Sequence, residues 1–206
     1  MATVKELLRI ARAELGTKES PAGSNRVKYA SWYGLPGQPW CVMFVMWVFA
    51  QAGVALPTRT ASCTLLMNAA RAAGCWVTSG YQPGDVVIYD WGKDGVPDHC
   101  GIVSAVLSGG VQAIEGNTAV GNDSDGGEVL ERTRTNGQIL GAVRPLYEEE
   151  STMDNTSSPA HKEGVEWAVK NGILQGNESG DLMLSQPVTR KQLCTMLHRF
   201  WKLIDR

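Results

Sequence analysis

One stretch limits what this chain can fold into more than any other: Gln38-Pro39-Trp40-Cys41-Val42-Met43-Phe44-Val45-Met46-Trp47-Val48-Phe49. From 42 to 50 there is no polar position, so a helix here has no wet face and must be buried nearly all round. The run is too short to cross a bilayer, which takes roughly 20 apolar residues. Pro39 suits a first helical turn, where a missing N–H costs nothing. Cys41 then stands at the N-terminal end of a core helix, where unpaired N–H groups and the dipole favour an anion. A thiol there is either a small buried filler or a thiolate with a lowered pKa, usable as a nucleophile.

The chain has 206 residues, enough for one sizeable domain and something small. With 43% hydrophobic and 19% charged residues it is an ordinary globular composition. A net charge of -2 supplies no basic field for nucleic acid or an anionic membrane. Residues 2–16 lack the apolar core and cleavage site of a secretory signal. They read as an amphipathic helix, with a capping box at Thr3 and Glu6 and an end at Gly16. No stretch predicts membrane insertion.

There are five cysteines, Cys41, Cys63, Cys75, Cys100 and Cys194, and no C-x-x-C pair. No structural zinc site is expected. Cys63 and Cys75 flank a helical pattern that would hold them roughly 18 Å apart, too far for a disulfide. Five reduced thiols are expected.

Residues 17–39 form a polar, turn-rich loop carrying Tyr29, Trp32 and Tyr33 just ahead of the thiol. A second helix is predicted over 62–73, closed by Gly74. After the turn signal Gln82-Pro83-Gly84-Asp85 the texture changes to strand: 86–89, 101–107, a Gly109-Gly110 hairpin into 111–115, then 128–135 and 139–144. Helices first and strands afterwards predict an α+β domain with helices packed on an antiparallel sheet. The domain is expected over 1–147, a linker over 148–158 and a small two-helix domain over 159–206. The last helix opens with a capping box, Thr189 and Gln192, and carries Leu193, Met196, Leu197, Phe200, Trp201 and Ile204 on one stripe.

A cysteine nucleophile needs a base within reach and a group to orient that base. Of three histidines, His161 and His198 lie outside the first domain, while His99 begins the strand His99-Cys100-Gly101-Ile102-Val103. Glu115 closes the following strand, and a hairpin can set it beside His99 to hold the imidazole in one tautomer. Asn117 is placed to assist or to bind substrate. The Cys41 N–H and Gln38 side chain are candidate oxyanion donors. Asp90-Trp91-Gly92-Lys93-Asp94-Gly95 opens like a calcium loop, but its third position has no oxygen donor and the twelfth would be Gly101.

These pieces together resemble the CHAP domain, the cysteine, histidine-dependent amidohydrolase/peptidase family. The likeness lies in Ile10-Ala11-Arg12-Ala13-Glu14-Leu15-Gly16, Trp32-Tyr33-Gly34, Gln38-Pro39-Trp40-Cys41, Pro83-Gly84-Asp85, Asp98-His99-Cys100-Gly101-Ile102-Val103 and Glu115-Gly116-Asn117. It is nearest to the modules of bacteriophage lysins. The resemblance implies a papain-like fold and cleavage of peptidoglycan at a muramoyl–alanine amide or within the peptides. It implies Cys41 as nucleophile, His99 as base, Glu115 as orienter and Asn117 as auxiliary. Apart from the resemblance, Gln38, Tyr29, Trp32 and Trp40 are candidates for the substrate site by their place beside the thiol, with the loop aromatics equally able to fill a satellite core. Cys100 replaces the usual Val or Ala and is expected to be a small buried residue. No cofactor is implied, although some relatives bind calcium. The alternative is a wall-binding protein whose papain-like domain does not cut. Val165-Glu166-Trp167-Ala168-Val169, Asn171-Gly172-Ile173-Leu174 and Pro187-Val188-Thr189-Arg190 resemble one S-layer homology repeat. That likeness implies contact with anionic wall polymers through Arg190, or self-association into a homo-oligomer. Synthesis in the host cytoplasm without a signal peptide, and action on the wall after release, are the matching expectations.

Overall fold

The computed structural model describes residues 3–123, 125–148, 155 and 157–205. Most of the expected linker, residues 149–154 and 156, lies outside the described residues. The chain divides into two units, Met1–Glu150 and Ser151–Arg206.

The first unit is α+β. Four helices, α1 (Val4–Ala13), α2 (Lys28–Tyr33), α3 (Cys41–Ala52) and α4 (Cys63–Ala72), precede a six-stranded antiparallel sheet. The strands are β1 (Trp76–Val77), β2 (Val86–Tyr89), β3 (His99–Leu107), β4 (Gly110–Thr118), β5 (Glu128–Thr135) and β6 (Ile139–Val143), in the order β1-β6-β2-β3-β4-β5. The apolar run forms α3, with every side chain from Cys41 to Met46 buried. It packs on β3 and β4. Its core partners on the sheet are the alternate residues Val86, Ile88, Cys100, Ile102, Ile114, Val129 and Val143, as the two-residue strand period requires. Val87, Tyr89, Val103, Val111, Ala113 and Ala142 form a second cluster on the opposite face. β2 is buried along its whole length, which explains its unbroken apolar sequence.

Local chemistry sets the ends. Thr3 caps α1 by accepting from the Glu6 N–H at 3.3 Å, while the Glu6 carboxylate pairs with Arg9 rather than closing the capping box. Ser62 caps α4, and Gly74 takes φ 70° just beyond it. The β3–β4 turn is Ser108-Gly109, one residue earlier than predicted, since Gly110 already pairs with Leu107. Two elements differ from expectation. The 17–39 loop contains α2, ended by Gly34 at φ 97°, and a two-residue β1 pairs with β6. Both are too short to show a period.

The second unit contains α5 (Lys162–Lys170) and α6 (Arg190–Ile204). The α6 capping box is formed: Gln192 N–H donates to Thr189 Oγ1 at 3.2 Å, and Thr189 N–H donates to Gln192 Oε1 at 2.8 Å. Trp167 meets Phe200 edge-on with centroids 6.3 Å apart. Leu193, Leu197, Phe200, Trp201 and Ile204 nevertheless each stay at least 40% exposed. Two helices in some fifty residues cannot cover a full apolar stripe. No described helix is long and apolar enough to cross a membrane.

Candidate active site

Cys41 is the first residue of α3, and no side chain caps the helix at Trp40. The thiol therefore sits among N–H groups with no intrahelical partner. α3 comes this close to the sheet because Gly116 on β4 has no side chain. A Cβ there would lie 2.6 Å from Phe44 Cβ and 2.7 Å from Trp40 Cζ3.

His99 and Glu115 meet on the neighbouring strands β3 and β4. Both are fully buried, with His99 Nε2 3.3 Å from Glu115 Oε2. A second glycine permits this. A Cβ on Gly101 would stand 2.6 Å from Glu115 Cγ, so the Glu115 side chain runs across the space a larger residue would fill. The 3.3 Å contact is not aligned as a hydrogen bond, and neither ring nitrogen has an aligned partner among the described residues. With Nε2 beside the carboxylate, Nδ1 is the nitrogen left for a reacting group. The ring lies in an aromatic stack, its centroid 6.1 Å from Tyr89 and 6.2 Å from Trp91.

Arg134 on β5 completes the arrangement. It donates to both Glu115 oxygens, from Nε at 2.8 Å and Nη2 at 2.6 Å. Its guanidinium also lies 4.9 Å from the Trp91 ring centroid and 3.0 Å from Asp123 Oδ1. A planar fork matches a carboxylate in two places at once, which lysine cannot do.

The electrostatics follow from these neighbours. Hydrogen bonding from the Cys100 and Cys63 thiols holds the Cys41 pKa well below that of an ordinary thiol; burial opposes this, and the His99 imidazole adds to it. Burial alone would lower the His99 pKa, but Cys41 and then Glu115 outweigh it and push it up to about 9. Burial would raise the Glu115 pKa, yet Arg134 and then His99 keep it below the usual carboxylate value. At neutral pH this favours a thiolate, an imidazolium and a carboxylate in one dry site.

The other sequence-predicted residues divide. Tyr29 and Trp40 are fully buried, so they do not offer a binding surface as expected. Their rings lie 5.5 Å apart in the core; Tyr29 Oη donates to Glu14, and Trp40 Nε1 donates to Glu19 Oε1 at 2.9 Å. Each aromatic polar handle has found an internal partner. Trp32 and Gln38 are exposed, and the Arg59 guanidinium lies 5.9 Å from the Trp32 ring centroid. Asn117 is fully buried at φ 61°, and its Nδ2 donates to Asp125 Oδ1 at 3.2 Å, tying down the β4–β5 loop. Cys100 is buried and faces the helical layer. Arg190 opens α6 and is exposed.

The 90–95 loop is held by its own aspartates. The Asp90 carboxylate accepts from the Asp94 and Gly95 N–H groups at 3.3 and 2.8 Å, and Asp94 Oδ1 accepts from the Val96 N–H at 2.9 Å. These oxygens hold the turn itself.

Sequence reasoning missed Arg134, Tyr89 and Trp91. A signal for Arg134 was present: in an antiparallel β4–β5 pair, an arginine on β5 can share a face with Glu115. Reading it requires the register, in which Val111 stands opposite Arg134.

Residues 24–117 match the family model of the CHAP domain. Among solved structures the chain is similar to Ly7917, at 21% identity and a TM-score of 0.42 over 70% of this chain and 62% of that one. Ly7917 with the hydrolyzing product of MDP aligns at 21% identity and a TM-score of 0.41, over 69% and 63% of the two chains. The wild-type endolysin LysIME-EF1 aligns at 12% identity and a TM-score of 0.48, over 82% and 86%. The chain thus spans less than two thirds of Ly7917. No curated protein matches.

Proposed function

We propose that this chain, with a CHAP domain over residues 24–117, is a peptidoglycan hydrolase that cuts an amide bond by cysteine nucleophilic catalysis. The observation that carries this reading is the burial of Cys41, at the start of α3, together with His99 and Glu115, whose Nε2 and Oε2 lie 3.3 Å apart; the Cys41 pKa is held low chiefly by the Cys100 and Cys63 thiols, and the His99 pKa is raised by Cys41 and Glu115. The family match supports the substrate class.

In this mechanism the Cys41 thiolate attacks the amide carbon, and the C=O electrons move onto oxygen. The Cys41 N–H at the start of α3 donates to that oxyanion, with Gln38 as a second donor. As the tetrahedral intermediate collapses, His99 hands its proton to the departing nitrogen, and an acyl-enzyme remains. Neutral His99 then takes a proton from water, which attacks the thioester and frees Cys41. Glu115 stays ionised throughout and steadies each imidazolium, and Arg134 fixes Glu115. For the second unit we propose contact with anionic wall polymers through Arg190.

The test is release of soluble fragments from purified cell walls by wild type and by Cys41→Ala. The variant should remain folded and bind walls while releasing nothing. Lysis by Cys41→Ala overturns the mechanism; wall binding by wild type without release favours a non-cutting binder. The newly freed amino terminus names the bond: L-alanine for an amidase, a cross-bridge or internal residue for an endopeptidase.

A further inference from the structure

Three cysteines far apart in the chain converge. The sulfurs of Cys41, Cys63 and Cys100 all lie within 4.8 Å of one another, and all three residues are buried. None is in a disulfide. Each comes from a different element: Cys41 opens α3, Cys63 opens α4 and Cys100 is the second residue of β3. Cys41 and Cys63 keep 7% and 8% exposure. The mechanism above uses only one of these sulfurs.

We propose that the trio binds a single thiophilic metal ion of the zinc and cadmium class, which caps the nucleophile reversibly. A tetrahedral zinc with bonds of about 2.3 Å to sulfur sets its sulfurs roughly 3.8 Å apart. The trio stands at most about an ångström looser, a gap that small side-chain rotations close. Three thiolates select soft or borderline ions over magnesium and calcium. With Cys41 already a thiolate, the Cys63 and Cys100 thiols give up two protons to the buffer as one divalent ion is taken up, so the metal with its three thiolates carries one net negative charge. No electron is transferred. That charge falls at the N-termini of α3 and α4, which are 12 and 10 residues long and whose dipoles favour an anion. Three rigid elements hold the ligands in place beforehand.

Binding stands on this geometry alone; inhibition by the metal rests on Cys41 acting as proposed above. The test titrates the reduced, metal-free full chain with cadmium chloride. It follows the ultraviolet sulfur-to-cadmium charge-transfer band, the stoichiometry by equilibrium dialysis, and wall lysis. The expected result is one ion per chain, a band that saturates at one equivalent, loss of lysis over the same range and recovery with EDTA. Cys63→Ser and Cys100→Ser should each weaken binding by roughly 100-fold or more, since losing a ligand costs at least as much as losing a supporting contact. Cys75→Ser and Cys194→Ser should leave it unchanged. Should either trio variant fail to fold by circular dichroism, the corresponding alanine variant takes its place. No band at one equivalent, or a band that survives both Cys63 and Cys100 variants, overturns the site and leaves the proposed hydrolase untouched. A saturated site with undiminished lysis overturns the cap and also counts against Cys41 as the nucleophile.

Discussion

The Arg134 guanidinium grips both oxygens of the Glu115 carboxylate, at 2.8 and 2.6 Å, in a place where both side chains are essentially shut off from solvent. The carboxylate beside His99 is thereby fixed in charge and in direction.

Removing one partner strands the other. Arg134→Leu is expected to cost about 3–5 kcal/mol of stability, because a buried carboxylate loses its counter-charge. The double variant Arg134→Leu/Glu115→Leu should recover part of that loss in urea unfolding. Additive losses would show that the two residues are not coupled.

The pH profile follows from the His99 shift. In the proposed mechanism the ring holds, below a pH of about 9, the proton that the leaving nitrogen needs; above it that proton is gone, so activity should fall through that pH. The acid limb is loss of the Cys41 thiolate and should lie well below the usual thiol range. For stability the sign is the same: the contribution of His99 is complete below its ordinary value of 6.5 and disappears as pH rises through about 9. Glu115→Gln removes a charge that raises His99, so the basic limb should move to lower pH. A limb that stays in place would separate Glu115 from the imidazole.

Gly101→Ala puts a methyl group 2.6 Å from Glu115 Cγ. The carboxylate must swing aside, and displacement by an ångström costs on the order of 100-fold in rate. Steady-state lysis assays should register this in kcat, with the basic limb of the pH profile lowered as in Glu115→Gln. Wild-type kcat in this variant would sink the argument.

Gly116→Ala should act on packing instead. Its methyl would meet Phe44 and Trp40 at 2.6 and 2.7 Å, and overpacking of this kind costs about 1–3 kcal/mol. Chemical denaturation should show the loss; an unchanged midpoint would mean that α3 can lift off the sheet freely.

The elements that could be read from sequence are those whose signal is local and repeated. The run through Val42 and Phe49 admits only a buried helix, Val86-Val87-Ile88-Tyr89 only a covered strand, and Thr189 with Gln192 names a helix start. α2 and β1 were illegible because six and two residues carry no period and depend on their neighbours for support. Cys41, His99 and Glu115 could be proposed from their residue types and the elements they begin or end. Arg134 and the meeting of Cys41 with Cys63 and Cys100 could not, because they depend on strand register and on the packing of separate helices. Tyr29 and Trp40 could not be assigned, because an aromatic residue ahead of the thiol looks alike in sequence whether it faces a ligand or a buried glutamate.

Strand order carries a last consequence. β5 is the outermost strand on its side of the sheet, and its pairing with residues 16–18 lies at the Glu128–Val129 end. Arg134 sits toward the other end. Fraying at that margin would unclasp the carboxylate while the helical core stayed packed. Gentle heating should therefore silence the molecule several degrees before it melts.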